Sequence, residues 1–147
     1  MKVVASNRRA RHDFEILDRF EAGIALEGSE VKSLRDGKVV LKDSFAHVRD
    51  GEIWLVGVYI APYEFSRDGG HDPERTRKLL LHRREIDRIA AKLAEKGLTL
   101  IPLQIYLKDG RAKVELGLGR GKRTIDKRET LKERDQQREI ERALRRR

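Results

Sequence analysis

The chain has 147 residues, no cysteine and a formal charge of +9, with 40% of its residues charged and a sequence pI near 10.0. Disulfides, thiolate catalysis and cysteine-based zinc sites are excluded, and so large an excess of one sign points to a polyanionic partner, nucleic acid ahead of an anionic membrane. No apolar run reaches the roughly 18 residues of a membrane helix, and the N-terminus MKVVASNRRARHDF has no apolar stretch of the signal-peptide kind, so we expect a cytoplasmic protein without membrane association.

Residues 1–13 read as a basic lead-in: Asn7 to Asp13 pack three arginines and a histidine into seven positions, a pattern suited to phosphate contact. From Phe14 the chain alternates, with Phe14, Ile16 and Phe20 apolar, a bend near Ala22-Gly23, and more strand over Ile24-Ala25-Leu26. Gly28-Ser29 opens a short helix with Ser29 as N-cap, Val31 and Leu34 as an i, i+3 apolar pair, and Gly37 as its stop. Lys32 and Arg35 share the adjacent face. Val39-Val40-Leu41 and Ser44–Val48 lead to Asp50-Gly51, a hairpin signal, followed by a strand over Ile53–Ile60 that Pro62 ends.

Residues 63–78 read as a long loop, with Pro73 placed to start a helical turn. Leu79-Leu80-Leu81 is a short apolar run. Arg84 to Lys96 is the clearest helix, with Ile86, Ile89, Ala90, Leu93 and Ala94 on one stripe and Gly97 closing it. Two alternating segments, Leu98–Leu107 and Ala112–Leu118, flank a second Asp-Gly pair at Asp109-Gly110, and Pro102 marks an edge or a bulge. About six short antiparallel strands with two to three helices predict a mainly β domain. The expected form is a small closed barrel of the oligonucleotide-binding (OB) type, with an open sheet covered by helices on one face as the alternative.

The compact body spans residues 1–118 and the remaining 119–147 form a basic tail. That tail holds twelve Lys/Arg against six Asp/Glu, which is +6 of the chain's +9. Too charged to bury much apolar surface alone, yet rich in helix formers from Thr130 onward, it reads as disordered alone and helical on an anionic partner. As a helix, residues 130–147 would span about 27 Å. The glycine-rich join, Gly117-Leu118-Gly119-Arg120-Gly121-Lys122, fails the P-loop pattern: Arg123 follows Lys122, and Leu116 stands where the first glycine belongs. It reads as a flexible hinge.

Catalytic signals are weak. The four histidines, His12, His47, His71 and His82, have no helical i, i+4 spacing and no cysteine beside them, which argues against a metal site. The carboxylates sit among Lys and Arg as on a solvated face. Of the eight aromatic residues most fall in strand patterns and read as core. Few aromatics are then left for base stacking, so recognition by shape, phosphate and 2′-OH is expected, as for folded RNA. Glu21, beside the bend at Ala22-Gly23, would there accept hydrogen bonds from base amines or 2′-OH groups.

Five segments carry a resemblance. They are Asn7-Arg8-Arg9-Ala10-Arg11-His12-Asp13-Phe14, Phe20-Glu21-Ala22-Gly23, Gly28-x-Glu30-Val31-Lys32-Ser33-Leu34-Arg35-x-Gly37-Lys38, Asp72-Pro73-x-Arg75-x-Arg77-Lys78-Leu79-Leu80-Leu81, and Gly121-Lys122-x-x-x-Asp126-Lys127-Arg128. In this order they closely resemble the SsrA-binding protein (SmpB) family of bacterial trans-translation. The resemblance implies an OB-type barrel with flanking helices. It also implies a non-enzymatic protein without metal or cofactor, bound as a monomer 1:1 to the tRNA-like domain of tmRNA (SsrA RNA), which it escorts to stalled ribosomes. Elongation factor Tu carrying alanyl-tmRNA is a further implied partner. By matching motifs, Asn7, Arg8, Arg11, His12, Glu21, Lys32, Arg35 and Leu80, with neighbouring His82, would face tmRNA. Gly121, Lys122, Ile125, Asp126, Lys127 and Arg128 would face the ribosomal decoding centre, the tail entering the empty mRNA channel. Ile125 stands where many family members carry histidine. Composition alone leaves a second reading open, another structural-RNA or rRNA-binding protein of the translation machinery.

Overall fold

The computed structural model describes residues 1–63, 71–95 and 97–122. Along the chain these form β1 (Lys2–Ser6), α1 (Arg8–Asp13), β2 (Phe14–Ile24), α2 (Gly28–Arg35), β3 (Val39–Val40), β4 (Phe45–Arg49), β5 (Glu52–Val56), β6 (Tyr59–Ile60), β7 (Arg77–Leu80), α3 (Arg83–Leu93), β8 (Leu98–Lys108) and β9 (Arg111–Gly121). The main sheet runs β1-β8-β4-β5-β7-β2-β9, and β9 also pairs with β8. That last pairing closes a ring of six antiparallel strands. The expected barrel is therefore present, with β1 added beside β8 and a two-stranded ribbon, β3-β6, outside it.

Alternation builds the interior. Phe20, Ala22 and Ile24 of β2 are buried while Glu21 is exposed; Ile53 and Leu55 of β5 are buried while their neighbours are less so. These residues join Ala46, Leu79, Leu100, Ile105, Val114, Leu116 and Leu118 in one core. Ile86 and Ile89 close that core from α3, and Leu34 does so from α2. A smaller cluster of Ala10, Ile101 and Leu103, with Phe14 and Ile16 against it, seats α1 on β8 and β2. Two bulges make both layers compatible. The register slips between Pro102 and Gln104 on β8 and between Ile16 and Asp18 on β2. Each inserts one residue and changes which face the following side chains take. Leu103 therefore packs under α1 while Ile105 packs inside the barrel.

Both Asp-Gly pairs make two-residue hairpins. Asp50 and Gly51 have φ of 53° and 73°, Asp109 and Gly110 of 52° and 75°. Positive φ at both central residues matches the right-handed twist of the strands they join.

Several expectations need correction. Residues 1–13 are not a loose lead-in: they form β1, paired to β8, and then α1. The bend expected at Ala22-Gly23 is absent, since β2 pairs with β9 continuously through Gly23. The N-cap of α2 is Glu27, not Ser29. The backbone N–H of Glu27 donates to Glu30 Oε1 at 2.8 Å, the reach-back half of a capping box. The segment 53–60 is two strands broken at Gly57, whose φ is 83°. Residues 72–75 make a single turn, Arg75 N–H donating to Asp72 O at 3.2 Å, and not a helix start. Gly117 and Gly119 lie within β9, held between β2 and β8, and Gly121 still pairs with Phe14 of β2, so the join is not a hinge.

Candidate nucleic-acid interface

The residues singled out from the sequence fall into three groups on the body and one at the root of the tail. The first group is α1. Asn7 is its N-cap: Oδ1 accepts from Ala10 N–H at 3.1 Å, Nδ2 donates to Pro102 O at 3.1 Å and to Leu41 O at 3.4 Å, and its own N–H donates to Leu103 O at 2.8 Å. Asn7 is buried, and its amide is occupied in pinning the helix to β8 and to the loop after β3. Arg8, Arg11 and His12 are exposed on the helix it holds. Arg8 also borders a shallow groove of about 290 Å³ with Val40 and Lys42.

The second group lies where β2, β7 and the start of α3 meet. Glu21, Leu80 and His82 line one groove of about 500 Å³, together with Gly23, Glu85 and Lys113. An adjoining hollow of about 450 Å³ shares Gly23, Leu80 and Lys113, and adds Val31 and Arg111. Register explains the assembly. Gly23 pairs with Leu80 on β7 and with Lys113 on β9, so all three fall in one row across the sheet. Glycine is suited to the middle of that row: a Cβ at residue 23 would come within 3.3 Å of Leu80 Cβ. Leu80 is 52% exposed, unusual for a leucine inside a paired strand, and with Leu81 it forms the apolar part of the groove wall.

Charge in this groove is graded. Tyr106 donates its hydroxyl to Glu21 Oε2, and Lys108 Nζ lies 3.6 Å from the same oxygen. The hydrogen bond from Tyr106, with help from Lys108 and Lys113, holds the Glu21 carboxyl below the usual carboxylate range, against burial, which pushes it up. Burial and then the bond to Glu21 push the Tyr106 hydroxyl up, so it remains a donor throughout the working range of pH.

The third group is α2, which carries Lys32 and Arg35, both exposed. Lys32 Nζ sits 5.2 Å from the centre of the Tyr63 ring. A buried ionic cluster fixes this helix. Glu30 is fully buried, and its oxygens accept from Arg75 Nη2 at 2.5 Å and from Arg77 Nε at 2.5 Å. Arg77 is also fully buried and donates to Val58 O at 2.8 Å and Pro73 O at 3.1 Å. Burial alone would raise the Glu30 carboxyl, but the bonds from Arg75, the Glu27 amide and Arg77 outweigh it and hold it low. Burial moves the Arg77 guanidinium down while Glu30 opposes the shift. His71 adds a neighbouring peg. It is buried, with Nδ1 2.9 Å from Ser29 Oγ and Nε2 2.8 Å from Ile60 O, so Nε2 carries a proton and donates it to that carbonyl.

The last group begins at the end of β9. Gly121 pairs with Phe14, and Lys122 N–H donates to Asp13 O at 2.8 Å, at the end of α1. Ile125, Asp126, Lys127 and Arg128, like the rest of the tail from residue 123, lie outside the described residues.

The fold thus joins Glu21, Leu80 and His82 in one groove. It sets α2 beside that groove through Val31 and places α1 at the opposite end of the 11-residue strand β2. Sequence reasoning missed Lys113, Tyr106 and Lys108. The alternation Ala112-Lys113-Val114-Glu115 marks Lys113 as outward, but only the β2–β9 register puts it beside Gly23 and Glu21. The aromatic residues also differ from expectation. Among the described ones only Phe20 and Tyr106 are buried, while Phe45 and Tyr59 are exposed.

Comparison with known proteins gives a consistent result. A family model described as SmpB protein matches residues 4–146. The chain is 56% identical to an SsrA-binding protein of Carboxydothermus hydrogenoformans over 98% of its own length and 97% of that protein's. It is 58% identical to one of Acidothermus cellulolyticus over 99% and 92%. A solved chain from work on tmRNA-SmpB and its journey to the centre of the bacterial ribosome superposes with a TM-score of 0.69, at 58% identity, covering 83% of this chain and 85% of that one. The match in sequence runs almost end to end, and the match in fold covers most of both chains. The chain belongs to the SmpB family of SsrA-binding proteins.

Proposed function

We propose that this chain binds the tRNA-like domain of tmRNA, the SsrA RNA, and delivers it to stalled ribosomes for trans-translation. The observation that carries this reading is the full-length relationship to SsrA-binding proteins. The physical features agree with it. The body bears a groove with an apolar wall, an acceptor and cations rather than an unbroken basic stripe, as a reader of RNA edges and 2′-OH groups requires.

In this proposal Arg8, Arg11, His12, Lys32 and Arg35 supply contacts to the RNA backbone, and the groove of Glu21, Leu80, His82 and Lys113 supplies selectivity. Asn7 acts by holding α1 in place. The tail from Gly121, with Lys122, Ile125, Asp126, Lys127 and Arg128, engages the decoding centre and mRNA channel, and elongation factor Tu belongs to the same assembly. The role is one of binding and delivery, without turnover. The test is affinity, at fixed salt, for a tmRNA transcript against an rRNA fragment of similar length. Binding to tmRNA should be tighter by orders of magnitude; equal binding to both overturns the proposal.

A further inference from the structure

Two carboxylates face each other across the β2–β9 ladder, Glu21 and Glu115, and their surroundings differ in an informative way. Glu115 is engaged at both oxygens: Oε1 accepts from Arg19 Nη1 at 3.4 Å and Oε2 from Gln104 Nε2 at 3.2 Å. Glu21 is held on one side only. Oε2 takes the Tyr106 hydroxyl and the approach of Lys108, while no hydrogen bond from the described residues reaches Oε1. Tyr106 itself is buried, so its hydroxyl is delivered from a fixed ring. It lies on β8 opposite Lys113, in the row that runs on through Gly23 to Leu80.

We propose that Tyr106 is a positioning residue for the interface: its hydroxyl locks one oxygen of Glu21 so that the other is presented to the groove as a single, directed acceptor for an exocyclic amine or a 2′-OH of bound RNA. A carboxylate in an RNA-facing groove repels phosphate. It contributes specificity only if it meets a donor at a fixed position, and a free glutamate with three rotatable bonds meets donors and phosphates indiscriminately. Fixing it from a buried phenol removes that cost before binding. The inference deepens the tmRNA reading and rests on it for the identity of the RNA.

The test uses the full chain carrying Y106F, which retains the ring and loses the hydroxyl. Affinity for a tmRNA transcript should fall about five- to tenfold, as for loss of one charge-assisted hydrogen bond, with affinity for a control rRNA fragment unchanged. In an E21A background Y106F should have no further effect, because its action passes through Glu21. A second readout needs no RNA. The ¹³C carboxyl resonance of Glu21 should titrate at higher pH in Y106F than in wild type. The other charged groups facing it stay in place, namely Lys108 on β8, Lys113 and Glu115 on β9, and His82 and Glu85 at the start of α3. Should Y106F not fold, E21Q keeps the phenol and asks the same question from the other side: the Tyr106 hydroxyl proton should move upfield. Equal losses from Y106F with and without Glu21, or a Glu21 titration indifferent to Tyr106, would overturn the proposal. Failure of wild type to prefer tmRNA would instead overturn the partner, leaving the carboxyl titration to decide the positioning.

Discussion

Glu30 is the residue whose loss should harm this fold most for its size. In Glu30→Gln the side chain keeps its shape and loses its charge. The Arg77 guanidinium then remains fully buried with Val58 O and Pro73 O as its acceptors but without the carboxylate bonded to it. An amide oxygen can accept one of the bonds now made by Arg75 and Arg77, while its NH₂ would face one of those donors. Removing one partner of a buried ion pair costs about 3–5 kcal/mol. Against the 5–15 kcal/mol typical of whole domains, that is a large share. The assay is denaturant unfolding followed by far-UV circular dichroism, where the midpoint should fall with the slope unchanged. Low pH should act in the same direction. The folded Glu30 carboxyl lies below its unfolded value. Its contribution is therefore fully present above the unfolded value near 4.3 and is lost as pH falls through the folded one. E30Q should show a shallower loss of stability in acid than wild type. A cost under about 1 kcal/mol, with an unchanged acid profile, would mean that the cluster is solvated and would refute this account of how α2 is held.

Three further outcomes are expected. Gly117→Ala should destabilise by about 1–3 kcal/mol, because the new Cβ would meet Leu103 Cδ1 at 2.8 Å and Ile16 Cδ1 at 3.2 Å in the layer under α1; thermal unfolding measures it. Glu21→Ala should lower tmRNA affinity on the order of tenfold despite making the surface more positive, with rRNA-fragment affinity held or raised, as read by competition binding. A chain ending at Lys122 should keep tmRNA binding largely intact and fail to support tagging on stalled ribosomes in a reconstituted translation system; loss of RNA affinity by orders of magnitude would contradict the division between body and tail.

The barrel was legible because its punctuation is local. Asp50-Gly51 and Asp109-Gly110 declare their turns by the conformations only such residues adopt cheaply, and the stripe Ile86-Ile89-Leu93 declares α3. Pro102 announced a bulge that the ladder contains one residue further on. Non-local features were not legible. Glu30, Arg75 and Arg77 look like ordinary surface charges until 45 and 47 residues of separation are closed by α2 and β7. His71 looks like a loop residue until Ser29 and Ile60 surround it. The interface shows the same limit. Glu21 and Leu80 stood out as motif residues, but Lys113 joins the groove and Tyr106 reaches Glu21 through register alone, which no local pattern reports.

The glycines before the tail show how one residue type supports opposite readings. Glycine confers freedom where nothing touches it and permits close approach where something does. Gly117 and Gly119 are of the second kind, with Leu103, Ile16, Phe14 and Ile101 against them. The strand therefore carries the chain without slack to Lys122, whose N–H bonds Asp13 O at the end of α1. The root of the basic tail and the helix bearing Arg8, Arg11 and His12 are thus fixed to one another by β2–β9 pairing and by that bond. If α1 grips the RNA, the point at which the chain leaves the body at Lys122 is set by the same few residues.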